Sequence, residues 1–396
     1  MSIFNTADIL LPKNCDMTKW SVVACDQYTS EPLYWKKVEE TADRAPSCLN
    51  IIFPEAYLSE LDFDSKIKEV NNTMKEYLDN DIFTEYKDAL IFVRRTFPSG
   101  EVRSGLIGAV DLEEYDYSAL SSSPIRATEA TVPERIPPRV AIRRNAPLEL
   151  PHILLLIDDE KDSVIGPLKS AELKKLYDFE LMQDGGHIEG YLVNNNDAVL
   201  KAIHGLNKSP LIAVGDGNHS LASAKACWEE IKKTLPESVK ENHPARYALC
   251  EVVNLHEKSL VFEPIHRVLF SCNPAKVTAS MKEQKGKFTH KINFVTKEKS
   301  ECFDFQSDCH LQSGAVSLFL DDYVSKYGGK VDYVHGDDTA ESFGKQDGNI
   351  AFLIKCLRKE DLFDTVNAYG PLPKKTFSMG HANEKRFYTE ARKIVR

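Results

Sequence analysis

The sharpest chemical feature of the sequence is the run Gly215-Asp216-Gly217-Asn218-His219-Ser220, entered from the apolar stretch Leu211 to Val214. Two glycines permit a tight turn, and the free amides that open a helix accept phosphate oxygens with help from the helix dipole. Gly217, Asn218 and Ser220 are therefore candidate phosphate contacts. His219 offers a donor or a positive charge, and Asp216 a base or a magnesium ligand. An ordinary strand-to-helix connection accounts for the same residues, with Asp216 capping the turn and Ser220 the helix. The run alone leaves both open.

A second constellation is Arg126 to Arg144, RATEATVPERIPPRVAIRR, with five arginines, two glutamates and three prolines. Guanidinium groups bind phosphate oxygens bidentately, and Arg135, Arg139 and Arg143 recur every four residues. With Arg126 they make a candidate anion site; pairing with Glu129 and Glu134 on a solvated loop is the plainer account. Pro133, Pro137 and Pro138 speak against a regular helix through the middle. The third is Ala24-Cys25-Asp26-Gln27-Tyr28-Thr29, directly after the apolar pair Val22-Val23. Asp26 at a strand's end is placed to activate a hydroxyl or merely to cap a turn, and Gln27 and Thr29 are candidate substrate contacts. His187, in Asp184-Gly185-Gly186-His187, is a further candidate substrate contact, and the terminal Lys374-Lys375-Thr376-Phe377-Ser378 completes the set; each is a weak signal by itself.

The surrounding pattern is mixed α/β, without the regular alternation of a TIM barrel. Ile67, Val70, Met74, Tyr77 and Leu78 predict an amphipathic helix over about 60 to 79, followed by a strand at 89 to 94 and its hairpin partner at 102 to 110. A strand at 152 to 157, a helix at 196 to 206 and a strand at 211 to 214 lead into the glycine turn. Leu221, Ala224, Trp228, Ile231 and Leu235 then mark a helix, so the turn sits between a buried strand and a helix start. Residues 247 to 270 read as two strands, and Phe387, Tyr388, Ala391, Ile394 and Val395 predict a final helix. Three regions are expected: 1–125 with the Asp26 loop, 126–270 with the arginine segment and glycine turn, and 271–396.

The 396 residues carry 50 Lys and Arg against 60 Asp and Glu, a formal charge of -10. No global positive field collects polyanions, which argues against nucleic acid as a partner. No apolar run approaches the roughly 18 to 20 residues that span a bilayer, and the start has no basic region ahead of Ile9-Leu10-Leu11, so a cytoplasmic protein is expected. Nine cysteines, odd in number and without a Cys-x-x-Cys pair, point to a reduced chain. Cys302, Cys309 and His310 fit no standard zinc spacing. P-loop, dinucleotide, Gly-x-Ser-x-Gly and protein-kinase signatures are absent.

The glycine run resembles the Asp-Gly-x-His box of a large family long catalogued as a domain of unknown function. That family is related to SerK-type free-serine kinases and more distantly to the ParB/sulfiredoxin fold. The likeness extends through ACDQYTSEPLYW at 24–35, IRATEATVPERIPPRVAIR at 125–143, LELPHILLLIDD at 148–159, FEPIHRVLF at 262–270 and LPKKTFSMGHANEKRFY at 372–388. It implies an elaborated ParB/sulfiredoxin-like core and phosphorylation of free L-serine to O-phospho-L-serine, an entry to serine and cysteine metabolism. The longer branch resembled here is the one with pyrophosphate-dependent enzymes. Diphosphate offers no base or ribose to grip, so many cations must recognise it, and the arginine segment supplies them.

By the resemblance, Asp216 and His219 match the acid and histidine of the box, against the transferring phosphate or its Mg²⁺. Ser220 stands where the related kinases usually show a basic residue. Asp26 is the preferred base and Asp216 the phosphate-side carboxylate. Alternatives are an ATP- or ADP-dependent kinase of a small hydroxyl compound, a non-catalytic ParB-like nucleotide sensor, and a phosphatase on the same anion site. The expected partners are the small molecules L-serine and diphosphate, with neither nucleic acid nor membrane; a homo-oligomer is left open.

Overall fold

The computed structural model describes residues 3–58, 62–119 and 121–395 and divides the chain into two units. The first comprises the chain up to Leu260, together with Val366–Pro371 and the segment from His381 onward; the second comprises Val261–Thr365 and Leu372–Gly380. The architecture is mixed α/β, as the pattern predicts.

The first unit is built on a ten-stranded sheet. Its order is Lys174–Leu181, Gly186–Leu192, Ile91–Thr96, Val102–Asp111, Tyr247–Asn254, Leu154–Ile157, Ile212–Asp216, Ile125–Ala127 and Tyr115–Asp116, with Phe4–Asn5 paired to Val102–Asp111. Leu154–Ile157 runs parallel to Tyr247–Asn254 and antiparallel to Ile212–Asp216, and Ile212–Asp216 runs parallel to Ile125–Ala127. These strands are near-continuous runs of buried residues because both sheet faces are covered. One core gathers Trp20, Trp35, Val70, Met74 and Phe387; another gathers Leu155, Ile212, Leu221 and Trp228. The expected boundary at 125/126 falls inside this sheet, at the strand Ile125–Ala127.

The amphipathic helix forms over Phe63–Asp79, capped by the Asp62 carboxylate and burying Ile67, Val70, Met74 and Tyr77; positions 60 and 61 of the expected span lie outside the described residues. The hairpin forms as Ile91–Thr96 with Val102–Asp111. The prolines do not break the arginine segment. Ile136–Arg144 is a helix, because Pro137 and Pro138 occupy its first turn, where backbone N–H groups have no intrahelical acceptor to lose. The expected final helix is also corrected: Phe387–Tyr388 pairs with Val22–Val23, and Arg392–Lys393 pairs with Leu148–Glu149. Extended backbone there finds acceptors and donors on other strands, such as Leu10 N–H on the Ala391 carbonyl at 2.8 Å. Local apolar spacing is overridden by tertiary pairing.

The second unit is a six-stranded sheet in the order Ser300–Ser307, Phe288–Val295, Ile350–Leu353, Phe262–Phe270 and Lys330–His335, with Phe377–Met379 added to Phe262–Phe270. The helices Pro274–Lys282 and Gln312–Tyr327 contribute Val277, Met281, Val316 and Leu320 to a core with Leu269, Ile292 and Phe352. No helix among the described residues is long and apolar enough to cross a membrane.

Candidate active site

The strand Ile212–Asp216 delivers the glycine turn to a sheet end, and the helix Asn218–Ile231 begins directly after it. Gly217 caps that helix with φ +80°, and a Cβ there would come 3.1 Å from Ile153 Cα. Its N–H donates to Asp216 Oδ1 at 2.9 Å. Asn218 is buried and acts inward: its Oδ1 accepts the Thr128 N–H at 3.1 Å, tying the turn to the chain that leads into the arginine segment. His219 Nε2 accepts the Val132 N–H at 3.1 Å. Burial, then Arg139 and Arg135 nearby, push its imidazole down to about 4, so the ring is neutral near pH 7 and Nδ1 carries the proton.

Asp216 has a partner from the far end of the sequence. Lys385 Nζ lies 3.0 Å from its Oδ2. Burial raises the carboxyl, but the Lys385 ammonium, its hydrogen bond, His152 and the Gly217 N–H together hold it below its ordinary value. Lys385 is delivered by a buried cation. Arg95 donates to the Gly185 carbonyl at 3.2 and 2.8 Å and to the carbonyls of Asn383, Glu384 and Lys385, and its guanidinium lies 4.8 Å from the Phe387 ring centroid. Next to it, Glu251 receives Arg386 at 2.9 Å and Arg103 at 3.7 Å. Arg386 also pairs with Glu390, whose carboxylate accepts the Tyr177 hydroxyl at 2.5 Å. Removing one member would leave an uncompensated buried charge, so the returning segment is held rigidly.

The Asp26 loop faces the same turn. Asp26 Oδ1 accepts the Gln27 amide at 3.0 Å, and Oδ2 lies 4.0 Å from His152 Nε2. His152 Nε2 is also 2.8 Å from Ser220 Oγ, and its Nδ1 is 2.6 Å from the Tyr388 hydroxyl. Tyr388 in turn accepts the Cys25 N–H and donates to Cys25 Sγ, both at 3.2 Å. Burial, then Asp26 and Glu55, push the Cys25 thiol up to about 12, so it stays protonated. Glu55 pairs with Arg139, whose Nη1 donates to the Arg135 carbonyl at 3.0 Å; burial raises the Glu55 carboxyl, with Arg139 opposing and Asp26 adding to the rise.

The predicted residues thus separate. Asp26, Asp216, His219, Ser220, Gly217, Arg135 and Arg139 converge, and Gln27 supports Asp26. Arg126 does not join them: it sits one strand over, toward the opposite end, bound to the Ser123 carbonyl (2.9 Å), Asn367 (3.0 Å) and Ser209 (3.2 Å). Arg143 is committed to Glu149 at 2.6 Å, a buried carboxylate that Arg392 also binds at 2.7 Å. His187 lies five strand positions from the turn, about 24 Å across the sheet, between Asp178 at 2.9 Å and Glu180 at 2.8 Å. Thr29 is exposed.

Among the described residues, the groups spaced to hold a metal ion are Asp158, Glu160 and His256, and Asp178, His187 and Glu189. Asp216 belongs to neither; both its oxygens are engaged, one by the chain's own ammonium, so the arrangement does not fit it as a Mg²⁺ ligand.

Sequence reasoning missed His152, Glu55, Lys385 and Tyr388. A polar residue opening the apolar run LELPHILLL, and the charged cluster NEKRFY ahead of the chain's end, are signals that single them out.

The profile of a family described as "Protein of unknown function (DUF1015)" matches residues 9–393. No curated protein matches the sequence. Solved structures with some likeness include a free serine kinase in complex with AMP (12% identity, TM-score 0.40, covering 71% of this chain and 92% of that one). Others are a conserved hypothetical protein from Pyrococcus furiosus (11%, 0.37, 69% and 90%) and SbnI with a C-terminal truncation from Staphylococcus aureus (12%, 0.35, 69% and 83%).

Proposed function

The chain belongs to the DUF1015 family, and from that premise we propose that it is a phosphotransferase moving a phosphoryl group from diphosphate to the hydroxyl of free L-serine. The observation that carries the reading is the convergence on one helix start of the glycine turn, the Arg135–Arg139 pair bearing on His219, and the Asp26 carboxylate with its Oδ2 turned toward His152. Phosphoryl transfer needs positioning and charge neutralisation more than covalent chemistry of its own. In this reading the amides at the helix start beyond Gly217 hold the phosphates together with Arg135 and with Arg139, which Glu55 orients, and Asp26 takes the proton of the serine hydroxyl.

Lys385 holds Asp216 ionised beside the phosphate side, so this lysine supplies positive charge at the position where the box acid was expected to hold metal. Mg²⁺ enters as part of the substrate, neutralising diphosphate before it binds. Neutral His219 donates from Nδ1 rather than adding charge. The compact donor is favoured because the recognition groups gathered here are cations and amides.

The test is formation of O-phosphoserine by purified protein with L-serine and Mg²⁺, with diphosphate, ATP and ADP compared as donors. Product with diphosphate alone supports the reading. Product only with a nucleotide overturns the donor and keeps the acceptor. Nucleotide binding with no product from any donor replaces the enzyme with a sensor, and phosphate release from diphosphate without serine replaces it with a hydrolase.

A further inference from the structure

Ser220, His152, Tyr388 and Cys25 form one continuous chain of hydrogen-bond contacts. Tyr388 has a single hydroxyl proton, and its oxygen lies 3.2 Å from Cys25 Sγ and 2.6 Å from His152 Nδ1. One of its oxygen lone pairs accepts the Cys25 N–H at 3.2 Å. With the hydroxyl proton given to Cys25 Sγ, the remaining lone pair accepts from His152 Nδ1 at 2.6 Å; the transfer inferred below uses this tautomer. His152 Nε2 is then a bare acceptor, and the contact at 2.8 Å is Ser220 Oγ–H donating to it. Tyr388 is held in this role by its own backbone, whose carbonyl accepts the Ser21 hydroxyl at 2.8 Å, and by the strand pairing of Phe387–Tyr388 with Val22–Val23.

A hydroxyl within hydrogen-bond distance of one imidazole nitrogen, with the other nitrogen oriented by a third group, is the arrangement of an activated nucleophile. Asp26 Oδ2, 4.0 Å from Nε2, stands where it stabilises the imidazolium that forms when the proton arrives. Ser220 lies in the first turn of the helix, with the turn amides alongside. We infer that Ser220 is a covalent phosphoryl carrier: the phosphoryl group passes from diphosphate to Ser220 Oγ and from there to the acceptor.

In the first half, Ser220 Oγ attacks the terminal phosphorus, the Oγ–P bond forms, the bridging P–O bond breaks, phosphate departs with the bridging oxygen, and the Ser220 proton moves to His152 Nε2. In the second, the hydroxyl oxygen of L-serine attacks the same phosphorus, the Oγ–P bond breaks, and His152 returns its proton to Ser220 Oγ. The acceptor's proton goes to Asp26 and then to the released phosphate or water. No electrons change hands. Tyr388 acts through His152 as a positioning residue.

This inference rests on the proposed phosphoryl transfer from diphosphate but not on the acceptor. The experiment incubates the full chain with labelled diphosphate and Mg²⁺ in the absence of serine. It reads phosphate-to-diphosphate exchange, and locates any acid-stable phosphoryl group by peptide mass mapping. Exchange with label on the peptide containing Ser220 is expected, and S220A is expected to lose at least about a hundredfold in exchange while keeping its thermal midpoint. O-phosphoserine formed from diphosphate with no exchange and no label on Ser220 overturns the inference and leaves the function standing. Label on Ser220 with no O-phosphoserine when L-serine is added overturns the acceptor and leaves the inference standing. Neither label nor product overturns both. As a check on positioning, Y388F should slow labelling and shift its pH profile, since the unanchored ring then samples the other tautomer; an unchanged profile removes Tyr388 from the scheme.

Discussion

Lys385 Nζ and Asp216 Oδ2 are 3.0 Å apart, joining the last stretch of the chain to the turn that opens the helix Asn218–Ile231. The ammonium outweighs the burial that raises the carboxyl and keeps Asp216 ionised where a phosphate is proposed to sit.

Because the Asp216 carboxyl lies below its unfolded value, the pair stabilises the fold above a pH of about 4 and loses that contribution as pH falls through the lower folded value. K385M should therefore cost about 1–2 kcal/mol at pH 7 and clearly less at pH 3. Urea unfolding at the two pH values checks this; equal losses at both would place the contribution in packing rather than charge.

Asp26 is the residue proposed to take the acceptor's proton. D26A should lower kcat by about 10²–10⁴-fold with a much smaller change in diphosphate affinity. Steady-state kinetics beside direct binding of diphosphate separates the two, and equal losses in both would move Asp26 to the donor side.

The arginines divide by position. R135M should raise the KM for diphosphate, because Arg135 bears on His219 at the turn. R126M should leave that KM unchanged and instead destabilise the fold by about 1–3 kcal/mol, since the Ser123 carbonyl, Asn367 and Ser209 lose a shared donor. Kinetics and thermal unfolding on both variants decide between them; a rise in KM for R126M would reinstate it at the site.

His219 is pushed down to about 4 by burial and by Arg139 and Arg135. A base whose folded value is depressed binds its proton more readily when unfolded, so its contribution is present above a pH of about 6.5 and is lost between there and about 4. The wild type should lose about 1–2 kcal/mol between pH 7 and 5 from this group, discounted for its partial exposure. H219Q, which retains an acceptor for the Val132 N–H, should flatten that slope in denaturant unfolding.

The sequence by itself determined what depends on short-range pattern. The mixed α/β class, the helix Phe63–Asp79, the hairpin of Ile91–Thr96 with Val102–Asp111, and the glycine turn between strand and helix all follow from hydrophobic period and from a residue that tolerates positive φ. Asp26, Asp216, His219 and Ser220 were legible because polar residues interrupt apolar runs at strand ends. Tertiary structure decided everything that depends on which distant partner reaches a group first. Arg126 and Arg143 have the same chemistry as Arg135 and Arg139, yet Asn367 draws one and Glu149 the other away from the turn, while Glu55 holds Arg139 beside it. Phe387 and Tyr388 have helical spacing but become a strand because Val22–Val23 offers the backbone its hydrogen bonds. Lys385, Tyr388 and His152 enter the site only through such long-range pairing, and the ring of His152 is oriented by a tyrosine at the other end of the chain. Local propensity is worth a fraction of a kcal/mol per residue, whereas a buried donor or charge left without its partner costs several times that, so the partners set the final arrangement.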